Sequence, residues 1–296
     1  MLLLITGSSD GTGDLITSKL GNRVFRFNYD LYQQYDFEFR PDFWEIRNPT
    51  GHLINSSTVS SAFWWKAFNF PLKDEDNLIV EEVKYIFREL YHCCRLSGIT
   101  KGNSYDFHNR LGKLNLLNIA SKYFETPSTL ATFRLSGVQK MIGIELVAKS
   151  FSSALTDSKA ALMTTAVKPN LLNPNFPWYL QEKITSDADI TVFVCGDNLF
   201  AYERDRGQLK GLDWRAEQTF DAGVKEWIRF DLKEKDSLAI GQFCKDISVD
   251  WGRLDFMRRQ DELVFLEFNA NGQWVFLDYD GRDGLLDCAI SYIAGY

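Results

Sequence analysis

Asp255, Glu267 and Asn269 are the residues whose types and spacing best suit chemistry. All three lie in "LDFMRRQDELVFLEFNANGQW", Leu254 to Trp274, where their neighbours Val264, Phe265, Leu266 and Phe268 are apolar. Strand side chains alternate with period two, so Glu267 and Asn269 share a face. A hairpin turning near Gln260-Asp261 would bring Asp255 opposite Glu267. Two carboxylates and an amide oxygen are hard ligands that suit Mg²⁺, which takes a few protein oxygens and fills its octahedron with water and nucleotide phosphate. The plain alternative is a solvated strand face, and the apolar flanks argue against it.

Cations in the same half of the chain fit that chemistry. Lys149 ends the apolar run "IELVAK", where it either snorkels at a strand end or neutralises a phosphate. Arg204 and Arg215 sit in polar stretches. Singly each reads as ordinary surface charge; together with the acidic set they describe a nucleotide-Mg²⁺ site. No Cys-His or Ser-His constellation suggests a covalent nucleophile, and the chain has only three histidines.

A competing signal lies near the N-terminus. "TGSSDGTG", Thr6 to Gly13, follows an apolar run and precedes a helical pattern, as a dinucleotide-binding turn would. Tyr179 and Lys183 even supply the YxxxK pair of short-chain dehydrogenases. That chemistry needs the pair one helical turn apart, whereas "WYLQEKI" alternates like a strand, on which they would lie about 13 Å apart. No lysine follows the glycines as a phosphate loop requires. A structural βα turn is the better reading.

The elements that must position these residues follow from periodicity. "LLLIT", the glycine turn, "DLITSKL" and "RVFRFNYD" form a βαβ beginning. "STVSSAFWWKAF" reads as a strand, "NLIVEEVKYIFRELYHCCRLSG" as an amphipathic helix stopping at Gly98, and "KLNLLNIASKYF" as a further helix. "GIELVAKSF" and "WYLQEKI" read as strands, and "ADITVFVCGDNLFAYERDR" as a hairpin turning at Gly196-Asp197. "SLAIGQFCKDISV" is helical, with Leu238, Ile240, Phe243, Cys244 and Ile247 near one face. The expected class is α+β, opening with a small α/β unit.

Composition bounds the partners. The chain has 296 residues, 45% apolar and 25% charged, with a formal charge of −7. It lacks the basic footprint of a nucleic-acid binder. "MLLLIT" is too short for a signal-peptide core and no apolar run reaches the roughly 20 residues of a membrane span, so a cytoplasmic protein is expected. Cys93, Cys94, Cys195, Cys244 and Cys288 read as reduced core thiols.

The order of these residues resembles the ATP-grasp ligases, in particular the graspetide (microviridin-type) peptide macrocyclases. "FLEFNANGQWVFLD" is similar to that family's E-x-N-P-x-G-Q-W-x-W segment, with Ala270 for Pro and Phe276 for the second Trp. "RVFRFNYD" and "AFWWKAF" resemble its pre-grasp domain, although Trp64-Trp65-Lys66-Ala67 replaces W-Y-R-R. The resemblance implies an ATP-grasp fold divided into a pre-grasp domain (1–105), a central domain (106–183) and a C-terminal ATP-grasp domain (184–296). It places Lys113 and Lys149 on the nucleotide and Glu182 at the hinge, with the backbone of Lys183 and Ile184 facing adenine. Asp189 lies near the nucleotide, Arg204 and Arg215 lie at the transferred phosphate, and Asp255, Glu267 and Asn269 become the Mg²⁺ ligands. Thr191 stands where the family has Arg.

The implied activity is ATP-dependent and Mg²⁺-dependent phosphorylation of Asp/Glu side chains in a ribosomal precursor peptide. Ser/Thr or Lys of the same peptide then closes a lactone or lactam. A leader segment is expected to dock on residues 115–180, and a homodimer is possible. The alternatives are a carboxylate-amine ligase acting on an amino acid or protein tail, a non-catalytic nucleotide-binding module, and the NAD(P)-dependent oxidoreductase already weighed.

Overall fold

The apolar strand β1 (Leu2–Thr6) is buried along its whole length. In the computed structural model, which describes residues 1–66, 72, 76–141, 143–151, 164–207, 212 and 227–296, helix α1 (Gly11–Leu20) leads from it to the parallel strand β2 (Val24–Asn28). The glycine turn between β1 and α1 is structural. Asp10 caps the helix by accepting from the Gly13 N–H at 2.6 Å, and the Arg26 guanidinium donates to the carbonyls of Gly7 (2.8 Å) and Ser8 (3.2 Å). A Cβ on Gly13 would stand 2.9 Å from the Thr6 methyl, so the third glycine serves close packing of helix on strand.

Strands β3 (Asp36–Arg40), β4 (Phe43–Arg47) and β5 (Leu53–Asn55) form an antiparallel meander that the periodicity reading did not foresee. Strand β6 (Ser61–Trp64) returns beside β1. Helix α2 (Asn77–Leu96) is capped by Asp76, ends before Gly98 at φ 69°, and buries Phe87, Leu90, Tyr91 and Cys94. With β7 (Thr100–Lys101) the first sheet is parallel throughout, in the order β2-β1-β6-β7.

Two short helices, α3 (Phe107–Arg110) and α4 (Lys113–Ala120), lead into β8 (Thr129–Thr132), β9 (Leu146–Lys149), β10 (Thr165–Val167) and β11 (Trp178–Glu182). These strands form an antiparallel sheet in the order β10-β9-β11-β8. Tyr179 lies on β11 and Lys183 just beyond it, not on a helix, so the oxidoreductase pair is absent.

The last sheet is assembled from β12 (Ala188–Cys195), β13 (Asn198–Asp205), β14 (Ile228–Arg229), β15 (Trp251–Arg259) and β16 (Glu262–Asn269), in the order β14-β13-β12-β15-β16. Helix α5 (Glu234–Asp246) packs Ile240, Phe243 and Cys244 against it, together with Ile247. Leu238, expected on that face, points to solvent at 67% exposure. Helix α6 (Leu285–Ala294) closes the fold.

Strand β12 divides its side chains between two environments. Ala188, Ile190, Val192 and Val194 join one core with α4 and α5, whereas Phe193 and Cys195 join a second core with β1 and α6. By the strand's period the second face also carries Asp189 and Thr191, and it is there that the site forms. All five cysteines are free thiols, and burial pushes Cys94 and Cys244 up to about 12. Among the described residues no helix is long and apolar enough to cross a membrane.

Candidate functional site

The β15–β16 hairpin turns through Gln260 and Asp261, both at positive φ, and sets Asp255 opposite Glu267 as its spacing predicts. A β-bulge produces that register. Asp255 pairs with Glu267 while Phe256 pairs with Phe265, so Leu266 is the extra residue. In regular pairing Leu266 would face Asp255, and Glu267 would be carried opposite the buried Leu254.

The three predicted oxygen-bearing side chains meet. Asn269 Nδ2 donates to Asp255 Oδ2 at 2.7 Å and to Glu267 Oε1 at 3.1 Å. Thr191 Oγ1, on the adjoining strand, donates to Asp255 Oδ1 at 2.8 Å. Arg253, missed in the sequence reading, grips the same carboxylate as a fork. Its Nε lies 3.0 Å from Oδ1 and its Nη2 3.0 Å from Oδ2, while Nη1 donates to the Gln273 carbonyl at 2.9 Å. Gly272 allows this approach, since a Cβ there would stand 3.0 Å from the Cβ atoms of both Arg253 and Asn269.

The donor set suits a hard cation. Two carboxylates and an amide whose oxygen can be turned towards them offer oxygens only. Among the described residues no three of His, Cys, Asp and Glu gather as a metal site, so the amide of Asn269 is needed to complete the set.

Two cavities meet beside these residues. One, of about 100 Å³, is lined by Val147, Gln181, Ile184, Asp189 and Arg206. The other, a cleft of about 690 Å³, is lined by Arg88, His108, Lys113, Tyr179 and Asn269. Lys149, Leu266 and Glu267 line both. Lys113 and Lys149, far apart in sequence, thus converge: Lys113 Nζ donates to the carbonyl of Ser150 at 2.8 Å.

Asp189 is 6% exposed and pairs across the sheet with the buried Arg204. Its Oδ1 accepts from Arg206 Nη1 at 2.6 Å, a second cation missed in the sequence. Burial raises the Asp189 carboxyl above its ordinary range, and the charges of Arg206 and Arg204 pull it back. His108 is held below its ordinary value by burial and by the charge of Lys113, against the pull of Glu267; its Nε2 accepts from the Ala270 N–H at 3.4 Å. Arg206 and Arg253 were both readable, since each stands two residues from a selected residue, Arg204 or Asp255, and period two places Arg253 on the face of Asp255.

At the predicted hinge, Glu182 accepts from the Ser128 N–H and from Arg259, and Ile184 is buried. The N–H of Lys183 is spent on the Glu145 carbonyl at 2.7 Å, and its side chain pairs with Glu145. Arg215 lies outside the described residues.

The backbone arrangement has solved counterparts. A RiPP-associated ATP-grasp ligase of Chryseobacterium gregarium, in complex with ADP and a leader and core peptide, superposes with a TM-score of 0.81 at 22% identity, over 99% of this chain and 96% of the other. A macrocyclase of Microcystis aeruginosa bound with its precursor peptide gives 0.82 at 18%, over 100% and 99%. The D-alanine–D-alanine ligase of Bacillus anthracis complexed with ATP gives 0.54 at 14%, over 98% and 95%. This chain has the ATP-grasp fold. No protein-family model matches the sequence, and no curated protein does. The ATP-grasp fold therefore rests on the structure, and it holds nearly end to end.

Proposed function

We propose that this protein is a cytoplasmic ATP-dependent ligase that modifies a ribosomally made precursor peptide. An Asp or Glu carboxylate oxygen attacks the γ-phosphorus of ATP and ADP leaves; a Ser/Thr hydroxyl or Lys amine then attacks the acyl carbon and phosphate leaves. The bond formed is an ester or an amide, closing a lactone or lactam ring. The observation that carries this reading is the meeting of the two cavities at Lys149 and Glu267, with lysines and the oxygen cluster at the junction. Both reactants are anionic, so the chemistry rests on charge neutralisation and positioning.

In this reading the smaller cavity takes adenine, through the Lys183 carbonyl and the Ile184 N–H, with Glu182 at its edge. Asp189 lies near the nucleotide, Lys113 and Lys149 hold phosphate oxygens, and Arg204 and Arg215 steady the transferred group. Asp255, Glu267 and Asn269 would hold Mg²⁺, which when bound screens the phosphate charge. The wider cleft admits the peptide. The structural counterparts, an ATP-grasp ligase and a macrocyclase that each carry a bound peptide, support the substrate class. The division at about residues 105 and 183 is supported by the sheets, each of which falls within one part. Docking of a leader on residues 115–180 is supported by the exposed Phe133, Leu171 and Phe176 there. Homodimer formation belongs to the same reading and is checked by light scattering on the eluting protein.

The test is phosphate release from ATP and Mg²⁺ with and without the short peptide encoded beside the gene, following peptide mass. Loss of about 18 Da per ATP consumed, the mass of one water as the stepwise chemistry requires, is expected. Turnover with a free amino acid instead would indicate the carboxylate-amine ligase, and nucleotide binding without turnover a non-catalytic module.

A further inference from the structure

Asp255 has little left to offer a metal ion. A carboxylate accepts about four hydrogen bonds, and here Oδ1 accepts from Thr191 and Arg253 while Oδ2 accepts from Arg253 and Asn269. The guanidinium is a matched partner for a carboxylate, planar and permanently charged, and the side chains of Arg253 and Asp255 are 11% and 21% exposed, so solvent screens the pair only in part. Its position is built from several sides. Nη1 is tied to the Gln273 carbonyl, the guanidinium carbon lies 5.9 Å from the Phe276 ring, and Gly272 leaves space beside its Cβ. Gln273 in turn accepts from Thr12 Oγ1 at 3.1 Å, which links the clamp to the N-terminal glycine turn.

We propose that Arg253 is a positioning residue that takes the place of a second cation at Asp255. This narrows the Mg²⁺ set proposed above: the site holds one divalent ion, with Glu267 and Asn269 as its protein ligands and Asp255 withdrawn from the set by the fork. The amide of Asn269, which now turns its NH₂ to both carboxylates, rotates to present its oxygen when the ion enters. Asp255, neutralised and fixed by the fork, serves as the wall against which Asn269 is held. This rests on the ligase reading, because that reading gives the site its metal.

The experiment counts ions rather than turnover. The full chain, loaded with one equivalent of a non-hydrolysable ATP analogue, is titrated with Mn²⁺ while free Mn²⁺ is followed by its electron paramagnetic resonance, with a nucleotide-only control. The parent is expected to take up one ion per chain. Arg253→Met, which frees Asp255, is expected to take up two, and Arg253→Lys, which keeps a charge there, one. Two ions in the parent overturn the proposal whatever the variants do. One ion in an Arg253→Met protein that still melts cooperatively also overturns it. Failure of the parent to bind nucleotide and Mn²⁺ overturns the ligase reading and this proposal together, so the two failures are distinguishable.

Discussion

At the residue scale, the site places the carboxylates of Asp189 and Asp255 where water reaches them little and supplies each with an arginine, Arg206 and Arg253. Asp189 shows the consequence for pH. With Arg206 replaced by Met, its buried carboxylate loses its closest partner, and breaking such a pair costs about 3–5 kcal/mol at neutral pH. The folded-state pKa of Asp189, already raised by burial, would rise further. A group whose folded pKa lies above its unfolded value has its stabilising effect below the unfolded pKa and loses it as pH rises through the folded pKa. The stability deficit of Arg206→Met against the parent is therefore expected to be larger at pH 8 than at pH 4.5, as measured by urea unfolding. The lysines are checked by affinity. Lys113→Met or Lys149→Met removes one charged contact, worth about 1.5–3 kcal/mol, and should weaken ATP roughly tenfold to a hundredfold by calorimetric titration. Glu267→Gln keeps the shape of the side chain and removes its charge; it should abolish phosphate release while the melting curve stays within about 0.5 kcal/mol of the parent.

At the element scale, the hairpin that carries the acids is held by backbone features more than by side-chain type. Gly252 lies at φ 134°, and a Cβ there would meet the Phe268 ring at 2.6 Å. Both the backbone conformation and the contact exclude a side chain, so Gly252→Ala is expected to lose on the order of 3 kcal/mol in denaturant unfolding. A loss below about 0.5 kcal/mol would mean that β15 readily shifts. The hairpin also shows where sequence reading succeeds. Apolar alternation and turn residues made the pairing of Asp255 with Glu267 legible, and the βαβ opening and α2 were legible for the same reason. The bulge at Leu266 was not, because local periodicity carries no sign of a register shift set by the partner strand. The β3–β5 meander escaped because its strands are short and mostly half-exposed, with only Trp44, Ile46 and Ile54 in the core. Leu238 misled because a helix of 13 residues buries a narrower stripe than its apolar residues suggest. Of the site, the residues that interrupt an apolar pattern stood out. Arg206 and Arg253 were readable only by their two-residue spacing from Arg204 and Asp255, because nothing in the local pattern shows that the fold will turn their guanidinium groups onto Asp189 and Asp255.

At the scale of the whole molecule, the first and last segments of the chain share one core. Leu2, Leu4 and Phe63 of the N-terminal sheet and Trp65 just after it pack in the same cluster as Phe193 and Trp251 of the C-terminal sheet and Trp274 beyond its last strand, together with Leu285, Ala289 and Ile293 of α6. Phe63 meets Trp251 edge-on at 5.3 Å, and Ser61 Oγ donates to the Ala294 carbonyl at 3.3 Å. Asp255 lies four residues along β15 from Trp251, and Asn269 ends β16 five residues before Trp274, so the geometry at Asp255 depends on contacts made by the opposite end of the sequence. Because neither sheet can cover this face alone, the two should unfold together. Urea unfolding followed by tryptophan fluorescence, which reports both sheets, and by far-ultraviolet circular dichroism is expected to give coincident single transitions. Ile293→Ala, which removes a fully buried side chain from the shared cluster, should lower stability by about 2–5 kcal/mol and move both probes equally. If the variant instead split the curve, leaving one part folded after the other had melted, the sheets would be independent units. The N-terminal glycine turn could then reach Arg253 through Gln273 only while the two happened to be docked.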